Sequence, residues 1–549
     1  METYLQYRRI GQALKEQLES DVEAVRSLPC LSRQKTRIVN GRTVLVVEWD
    51  GPDDPLHPRN WPFHERFRAT LVICSIGCLV GAAASLDGAV IPQAAKDLGV
   101  SQVTESFGAI SSFLLGFGPG ALICGPFSEV LGRNQIYLPS LALLCLFIMA
   151  SALAPDIGSQ IVFRFFASVV GAAPSVCAGG SVADMFTALE KTFIFPFFSI
   201  FGFGGAALGP VMAAWIPESP VLHSWRWAEW VTLMFAGVVL LTTFLFQPET
   251  YPPVLLSWKA RQLRKITGDD RYYAEHEMER ISLLTRLGAA LRRPFILALH
   301  EPIILLVSFY LCLVYVILFT FLNGYDFIFR QTYGISQGLT NTIFVGIFVG
   351  VCIAFGCVPW IYNRTVKAQR KAVAEGKTQF DPEIRLWYAM LGAPAMPISL
   401  FWMAWTSYPH ISIWSSITAS VLFGFAGVMA FITTYMYLID TYETYAASAL
   451  VFATLSRYLC SGGMVVAATP FYQNVGHHWT LTILGCLSLL LTPIPYVFYR
   501  YGHIIRRKSR FAVTTKDDLN NGQLELPVSM GSSSSTLPSE EDEKVEEQS

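Results

Sequence analysis

Charged side chains are scarce in this 549-residue sequence, and their scarcity excludes an ordinary water-soluble protein. Asp, Glu, Lys and Arg make up 15% of the residues and hydrophobic residues 52%, whereas globular domains carry about 25% charged residues. The mean hydropathy is +0.42. The formal net charge is −1, and no basic patch with interleaved aromatic residues is present, so no nucleic-acid partner is expected. The composition predicts an integral membrane protein.

Motifs for catalysis and metal binding are also missing from the sequence. There is no GxxxxGK[ST] phosphate-binding loop. The eleven cysteines form no CxxC pair and no Cys/His cluster with the spacing of metal ligands. No cleavable signal peptide is expected, because the chain opens with a long polar and charged stretch. We therefore expect no enzyme, no cofactor and no metal.

Apolar runs of membrane-spanning length, about 20 residues each, are what the sequence has in abundance. Six precede and six follow a hydrophilic segment that is rich in Lys, Arg and Glu. Their predicted bounds are 68–91, 105–125, 135–154, 160–183, 193–216, 227–247, 296–322, 340–361, 385–406, 411–434, 444–469 and 478–499. The pattern predicts an all-α membrane protein with twelve transmembrane helices in two six-helix bundles, at 68–247 and 296–499.

Three further segments complete the predicted domain organisation, and the basic residues orient it. They are an N-terminal segment (1–67), a central loop (248–295) and a largely disordered tail (500–549). Lys and Arg concentrate in these three segments and in the loop 362–384, while the alternate loops are nearly bare. By the positive-inside rule both termini are cytosolic, and an even number of spans agrees.

A short charged segment, Gly125 to Arg133, separates the second and third runs. Its glycines permit a tight turn, and Glu129 and Arg133 are predicted to form a breakable lock at the membrane surface. Asp184, at the end of the fourth run, is the predicted partner of Arg133. In the second half, the segment that ends at Arg364 is a degraded counterpart. The alternative interpretation is a solvated loop with ordinary flanking charges.

Charged residues within apolar runs are functional candidates, because burying charge in a membrane is costly. Arg164, in the fourth run, either snorkels to the outer interface or is held by a neighbouring helix that the small residues after it admit. Asp87, in the first run, is either a proton-carrying carboxylate or the outer end of the helix. Arg457 lies within the eleventh run.

Two more groups of residues are candidates on weaker patterns. Gly205, Gly209 and Pro210 in the fifth run form either a packed glycine face or a hinge for alternating access. Tyr310, Asn323, Tyr325 and Asp326, in and after the seventh run, suit a mixed apolar and polar ligand together with Arg457. An interfacial aromatic belt explains the later members equally well.

Taken in order, several motifs resemble those of fungal major facilitator transporters of the twelve-helix drug:proton antiporter group. They lie in the segments Trp49–Trp61, Gly125–Arg133, Glu249–Leu256 and Tyr437–Ala449, and Arg164 falls on the arginine of the helix-four motif. The resemblance covers roughly residues 45 to 508 and implies the major facilitator fold. Asn134, Ser168 and the pair Ala213–Ala214 depart from the usual motifs.

The resemblance also implies roles for particular residues. Glu129, Arg133 and Asp184 would form a charge relay that steadies the outward-open state. Arg164 would take part in proton coupling, for which Asp87 is the candidate carboxylate on its own sequence pattern. Gly205, Gly209 and Pro210 would belong to the helix-five antiporter motif.

The function predicted from the sequence is secondary active export of a small organic molecule, such as a drug, toxin or secondary metabolite. Exchange for protons by alternating access is expected, in a monomer embedded in the lipid bilayer of the cell membrane, with the vacuolar membrane as the alternative location. A permease importing a nutrient or polyamine by symport or facilitated diffusion is the alternative function. A non-transporting sensor that signals through the tail is a third.

Overall fold

The computed structural model describes residues 1–20, 36–39, 42–222, 224–278, 283–375, 381–442, 445–507 and 509. Within these residues, twelve helices are long and apolar enough to cross a membrane, which confirms the predicted number. We number them spans 1 to 12: Phe63–Asp97, Gln102–Gly125, Asn134–Ala152, Ile157–Met185, Ala188–Ala213, Trp227–Phe246, Pro302–Gln331, Gln337–Ala374, Pro382–Thr406, Ile413–Tyr442, Ala446–Val475 and His477–Arg506.

Six of the spans consist of consecutive helical segments, and four of them (spans 1, 2, 7 and 9) include a 3₁₀ or π-helical segment. Span 1 comprises Phe63–Ser85, a 3₁₀ turn at Leu86–Val90 and Ile91–Asp97. Span 2 comprises Gln102–Ser106, a π-helical turn at Phe107–Ser111 and Ser112–Leu131, which continues past Gly125. Span 7 comprises Pro302–Asn323 and Asp326–Gln331, and span 8 comprises Gln337–Thr342, Val345–Gly356 and Val358–Ala374. Span 9 comprises Pro382–Leu386, Trp387–Gly392 and Ala395–Thr406, and span 12 comprises His477–Leu491 and Pro493–Arg507.

Local sequence signals fix where several spans begin. Hydroxyl side chains accept hydrogen bonds from the first free backbone N–H groups, as N-caps do. Ser101 caps span 2 and Ser336 caps span 8. Thr187 and Glu190 form a reciprocal capping box at the start of span 5. These starts are therefore encoded by single polar residues rather than by hydropathy.

Span 8 is longer than its hydropathy predicts, because one of its ends is amphipathic. The eighth run was predicted to end at residue 361, but the helix Val358–Ala374 continues it. Val358, Ile361 and Thr365 are buried on one side of this extension, while basic residues occupy the other. A helix with one apolar face is stable outside the membrane, so the predicted loop at 362–384 is helical over its first half.

A small assembly that the sequence did not predict covers the ends of the spans near the N-terminus. Its helices are Glu2–Ser20, Pro252–Thr267, Glu275–Met278 and Leu283–His300. Its strands are β1 (Thr36–Val39), β2 (Arg42–Val46) and β3 (Tyr272–Tyr273), with β1 antiparallel and β3 parallel to β2. We call this side of the protein the terminal side and the opposite side the far side.

A buried lysine attaches the segment before span 1 to this assembly. Lys259, whose side chain is 1% exposed, places Nζ 2.9 Å from Asp50 Oδ2 and 3.2 Å from Asp54 Oδ2. Burial opposes the charge of Asp54, but the Asp50 N–H and Lys259 hold the pKa of this carboxyl below its usual value. The Trp49–Trp61 motif therefore has a structural role on the terminal side.

The two bundles touch each other near both ends of the spans. On the far side Gln93 and Gln337 exchange amide hydrogen bonds of 2.9 and 3.2 Å, and Glu218 accepts a 2.7 Å hydrogen bond from the Gly338 N–H. On the terminal side Arg385 of span 9 donates to the Ala188 carbonyl of span 5 at 2.9 Å. Both ends of the interface are therefore bridged in this conformation.

Candidate functional site

The core of the first bundle contains a buried arginine with two carboxylates against it. Arg164 of span 4 has no exposed surface; its Nη2 lies 2.7 Å from Asp87 Oδ2 of span 1, and its Nη1 lies 3.5 Å from Glu229 Oε2 of span 6. The contact with Asp87 is an ion pair without hydrogen-bond alignment. Nη2 instead donates to the carbonyls of Ala83 and Ala109, at 3.0 and 2.8 Å.

Arg164 thus points inward rather than snorkelling, and Asp87 is 2% exposed rather than an exposed helix end. The structure brings the two candidates together, as their assignment to one function requires. Neighbouring small residues permit this arrangement, because Gly116 and Gly120 of span 2 allow its backbone to approach that of span 4 closely.

Glu229 and Glu105 were not among the predicted residues, yet they complete this cluster. Glu229 accepts a 2.6 Å hydrogen bond from the Ser151 hydroxyl, and Glu105 of span 2 accepts a 3.0 Å bond from the Gln160 amide. Both are at most 1% exposed. Three carboxylates and one guanidinium would carry a net charge of −2 if all were ionised. Burial disfavours such a charge, so the cluster is able to relieve it by taking up protons.

On the terminal side, Arg133 and its predicted partner are in contact. Arg133 Nε lies 3.1 Å from Asp184 Oδ2, and Nη1 donates to Ser128 Oγ at 2.8 Å. Burial opposes the charge of Arg133, but Asp184 raises the pKa of the guanidinium above its ordinary value. Gly180 makes room for this pair, since a Cβ there would lie 2.6 Å from Arg133 Cζ. The side chain of Glu129 lies outside the described residues.

The predicted tight turn is shorter than the sequence indicated. The segment from Gly125 to Leu131 is helical, and the turn is confined to Gly132, whose φ is +98°, and Arg133. The first half of this segment, residues 125–128, contains no charged residue. The second run therefore continues as helix beyond its predicted end at residue 125.

Glu249, part of the motif Glu249–Leu256, holds this turn in place from a distant part of the chain. Its Oε1 accepts from the N–H groups of Arg133, Thr250 and Tyr251 at 2.9 to 3.0 Å, and its Oε2 accepts from that of Asn134 at 3.0 Å. A carboxylate at a helix N-terminus satisfies free N–H groups and complements the helix dipole. Burial raises the pKa of Glu249, while these N–H groups and Arg133 oppose that rise.

The counterpart of the Arg133 pair in the second bundle is Arg385 with Asp440, not the segment ending at Arg364. Arg364 stacks on Trp360 and Trp387, with its Cζ 4.4 and 4.3 Å from the two ring centroids. Arg385 Nε instead lies 2.5 Å from Asp440 Oδ2. Arg133 precedes span 3 and Asp184 lies in the last turn of span 4. Likewise, Arg385 lies in the first turn of span 9 and Asp440 in the last turn of span 10. The repeat is therefore preserved in three dimensions where the sequence motif is not.

The glycines of span 5 allow it to approach span 1 closely. A Cβ on Gly205 would overlap the carbonyl oxygen of Cys78, and one on Gly209 would overlap Ser85 Oγ. Pro210 lies within the helix Ala188–Ala213. These close approaches support the interpretation of the motif as a packed glycine face, while its role as a hinge stays a prediction.

We expect Gly205→Ala to destabilise the protein and Gly202→Ala to leave its stability unchanged or slightly raised. The Cβ at position 205 meets backbone atoms that cannot move aside, and such overpacking costs about 1–3 kcal/mol. Nothing lies within 4 Å of a Cβ at position 202, where alanine simply favours the helix. Melting temperatures of the two variants in detergent would test this, and equal values would contradict the close packing at Gly205.

The predicted substrate residues do not form one site. Tyr325 stacks on Phe344 within the core of the second bundle, with the ring centroids 4.0 Å apart. Asn323 donates to the Phe319 carbonyl of its own helix, and Asp326 is 47% exposed and pairs with Arg330. These positions explain the aromatic and polar pattern without a ligand.

Tyr310 and Arg457 occupy separate places as well. Tyr310 borders a small gap inside the second bundle, between spans 7, 9, 10 and 12. Arg457 lies among aromatic rings, with its Cζ 4.6 Å from the centroid of Tyr315, a residue of span 7. Arg457 therefore has rings of spans 7, 10 and 11 around it.

Comparisons with known proteins agree with this architecture. Residues 73–465 match the family described as the Major Facilitator Superfamily. The chain is 50% identical over 472 residues to the MFS-type transporter kojT of Aspergillus flavus, covering 86% of this chain and 83% of that protein. It is 36% identical over 479 residues to the MFS-type efflux pump MFS2 of Trichophyton rubrum, covering 85% and 77%.

Among solved structures, the chain superposes on the proton:xylose symporter XylE of E. coli with a TM-score of 0.58. The match covers 80% of this chain and 96% of XylE, at 14% sequence identity. An identity this low supports the shared fold alone. The two bundles and the predicted fold class are thereby confirmed.

Proposed function

The chain belongs to the Major Facilitator Superfamily, and from that premise we propose that this membrane transporter exports a small organic molecule in exchange for protons. The observation that carries the proposal is the cluster of Asp87, Glu105, Glu229 and Arg164. It places three buried carboxylates around one guanidinium inside the bundle that contains the antiporter-like motifs.

The cluster has the properties of a proton-carrying site. Arg164 stays charged at any working pH, so protons are taken up by the carboxylates around it. A proton that binds to Glu229 or Asp87 weakens the attraction of that carboxylate for Arg164. Because the cluster joins spans 1, 2, 4 and 6, such a change alters how four helices are held together. Protonation is thereby coupled to conformation.

The two ion pairs on the terminal side, Arg133–Asp184 and Arg385–Asp440, are placed where they can control opening and closing of that side during alternating access. The Arg133 pair lies within the first bundle, whereas Arg385 connects Asp440 of the second bundle to Ala188 of the first. We place this side in the cytosol and the protein in the cell membrane, as a monomer. Opening toward the cytosol would break the contacts of Arg385 with span 5. The export direction draws support from the similarity to proteins named as efflux pumps.

Transport by the full-length protein in liposomes under an imposed pH gradient tests the proposal. Two flat probes with permanent charge, naphthalene-2-sulfonate and N-methylquinolinium, do not equilibrate with the gradient as weak acids do. We expect at least one to accumulate against its own gradient while protons move the opposite way. Accumulation in the direction of proton flow would favour the importing permease, and accumulation indifferent to the gradient would contradict coupling.

We expect Glu229→Gln to reduce uphill accumulation about tenfold or more while leaving probe exchange without a pH gradient intact. The glutamine keeps an acceptor for the Ser151 hydroxyl but cannot carry a proton. Asp270→Asn, which neutralises an exposed carboxylate on the terminal side, serves as the control and should transport like the unaltered protein. If Glu229→Gln accumulated the probe normally, Glu229 would not be part of the proton path.

A further inference from the structure

A second buried guanidinium in the membrane region, unlike that of Arg164, has no carboxylate beside it within the part of the chain that the structure describes. Arg457 of span 11 is 3% exposed, and its Nε and Nη1 are buried without a hydrogen-bond acceptor among the described residues. Arg133, Arg164 and Arg385, by contrast, each have a carboxylate within 3.1 Å. A buried charge without a counter-charge is costly, so Arg457 requires an explanation other than stability.

Aromatic rings lie close to the Arg457 guanidinium, while its Nε and Nη1 N–H groups have no acceptor among the described residues. Its Cζ lies 4.6 Å from the ring centroid of Tyr315, 4.8 Å from that of Tyr458, 5.1 Å from that of Tyr435 and 5.4 Å from that of Phe431. Aromatic rings attract a cation through their faces. The rings themselves have no lone pairs to accept from the N–H groups. The hydroxyls of Tyr435 and Tyr458 lie near enough to interact with the charge of Arg457, yet Nε and Nη1 stay without an acceptor in the described part of the chain.

This aromatic cluster lies at the interface between the bundles. Phe203 of span 5 contacts Phe431 and Tyr315, with the ring centroids 5.3 and 6.3 Å apart. Phe117 of span 2 packs on Tyr458, with a centroid distance of 4.4 Å. Rings of the first bundle therefore pack on the rings that surround the guanidinium, and a movement of one bundle relative to the other would separate these two layers of rings.

We propose that Arg457 and these rings bind the anionic group of a flat, conjugated organic acid, which is the class of molecule that the protein transports. A guanidinium offers two planar forks of N–H groups, Nε with Nη2 and Nη1 with Nη2, and each matches the paired oxygens of a carboxylate or sulfonate. The free N–H groups on Nε and Nη1 leave one arm of each fork open to such a ligand. The surrounding rings stack on a flat aromatic body. The buried positive charge also acts against organic cations. This assignment rests on the proposed transport function, because it names the substrate of that function.

Binding to the purified full-length protein in detergent, at neutral pH and without a gradient, tests the assignment by calorimetry. The probes are naphthalene-2-sulfonate, the uncharged naphthalene-2-sulfonamide and the cation N-methylquinolinium. We expect the sulfonate to bind at least about tenfold more tightly than the other two. Arg457→Met should weaken sulfonate binding about 10- to 100-fold, which is the loss expected for hydrogen bonds to a charged group. Arg457→Lys, which keeps the charge without the fork, should lie between.

Stability separates a binding role from a structural one. Arg457→Met should not lower the melting temperature of the ligand-free protein, because it removes a buried charge that has no counter-charge among the described residues. Arg261→Met, at an arginine that is 59% exposed on the terminal side, is the matched control and should bind the sulfonate normally.

Three results would overturn the assignment: equal affinity for all three probes, unchanged sulfonate affinity in Arg457→Met, or no sulfonate binding to the unaltered protein. Because this measurement uses no pH gradient, a failure of proton coupling leaves it intact. Conversely, gradient-driven transport of the cation alone would support coupling while rejecting the anionic substrate.

Discussion

Arg164→Leu is expected to abolish gradient-driven accumulation of the probes and to lower the melting temperature by several degrees. The substitution leaves the carboxylates of Asp87, Glu229 and Glu105 buried around a hydrocarbon side chain, and it removes the donor to the carbonyls of Ala83 and Ala109. Breaking a buried ion pair by removing one partner costs about 3–5 kcal/mol. Accumulation in proteoliposomes and thermal unfolding in detergent measure the two effects.

Two further variants separate coupling from folding. Arg164→Lys keeps the charge but not the planar fork, so stability should largely recover while accumulation stays low. Combining Arg164→Leu with Glu229→Gln removes one uncompensated charge and should recover part of the stability without restoring transport. Uphill accumulation at the normal rate in the leucine variant would exclude Arg164 from the coupling mechanism.

Much of the membrane architecture could be predicted from the sequence, because a span needs little more than a long apolar run. The number of spans followed from run length, and the division into two bundles from the hydrophilic segment between the sixth and seventh runs. The terminal-side assembly could not be predicted in this way. Its strands have two to five residues, and β2 pairs with Tyr272, which lies in a distant part of the chain. Such pairing depends on tertiary contacts rather than on a local pattern.

The residues that sequence reasoning missed have a common physical cause. Glu105 begins the predicted run 105–125, Glu229 lies near the start of 227–247, and Arg385 begins 385–406. A charge at the edge of an apolar run indicates an exposed helix end. In the folded protein, neighbouring spans reach past these edges and bury all three side chains to 1% exposure or less. Arg164, Asp87 and Arg457 were identified because they lie inside their runs, although an interfacial position was an open alternative for Arg164 and Asp87.

The functional pairs of the two bundles illustrate the same limit. The symmetric positions of Arg133 and Arg385 depend on where spans 3 and 9 begin, not on shared sequence. Sequence comparison pointed to the segment ending at Arg364 as the counterpart of the first-bundle motif, whereas Arg385 occupies that place in the structure. Their partners Asp184 and Asp440, both in the last turns of a span, complete a repeat that is visible only once the helices are assembled.

Glu249→Ala is expected to be the most destabilising single substitution on the terminal side. It would leave the N–H groups of Arg133, Asn134, Thr250 and Tyr251 without their acceptor. Each buried N–H left unsatisfied costs about 1–3 kcal/mol, although water entering the gap would recover part of this loss. We therefore expect a fall of several degrees in the melting temperature, measured in detergent.

Glu249→Gln provides a sharper test, because the two carboxylate oxygens have unequal tasks. Oε1 accepts three N–H groups, which an amide oxygen can also do, whereas Oε2 accepts only that of Asn134. The glutamine NH₂ at that position would face another donor, so this variant should lose much less stability than the alanine variant. Glu16→Ala, at an exposed position of the N-terminal helix, is the control. Equal stability of all three variants would show that the turn at Gly132 and Arg133 holds without Glu249, and the Arg133–Asp184 pair would then depend on its own contacts alone.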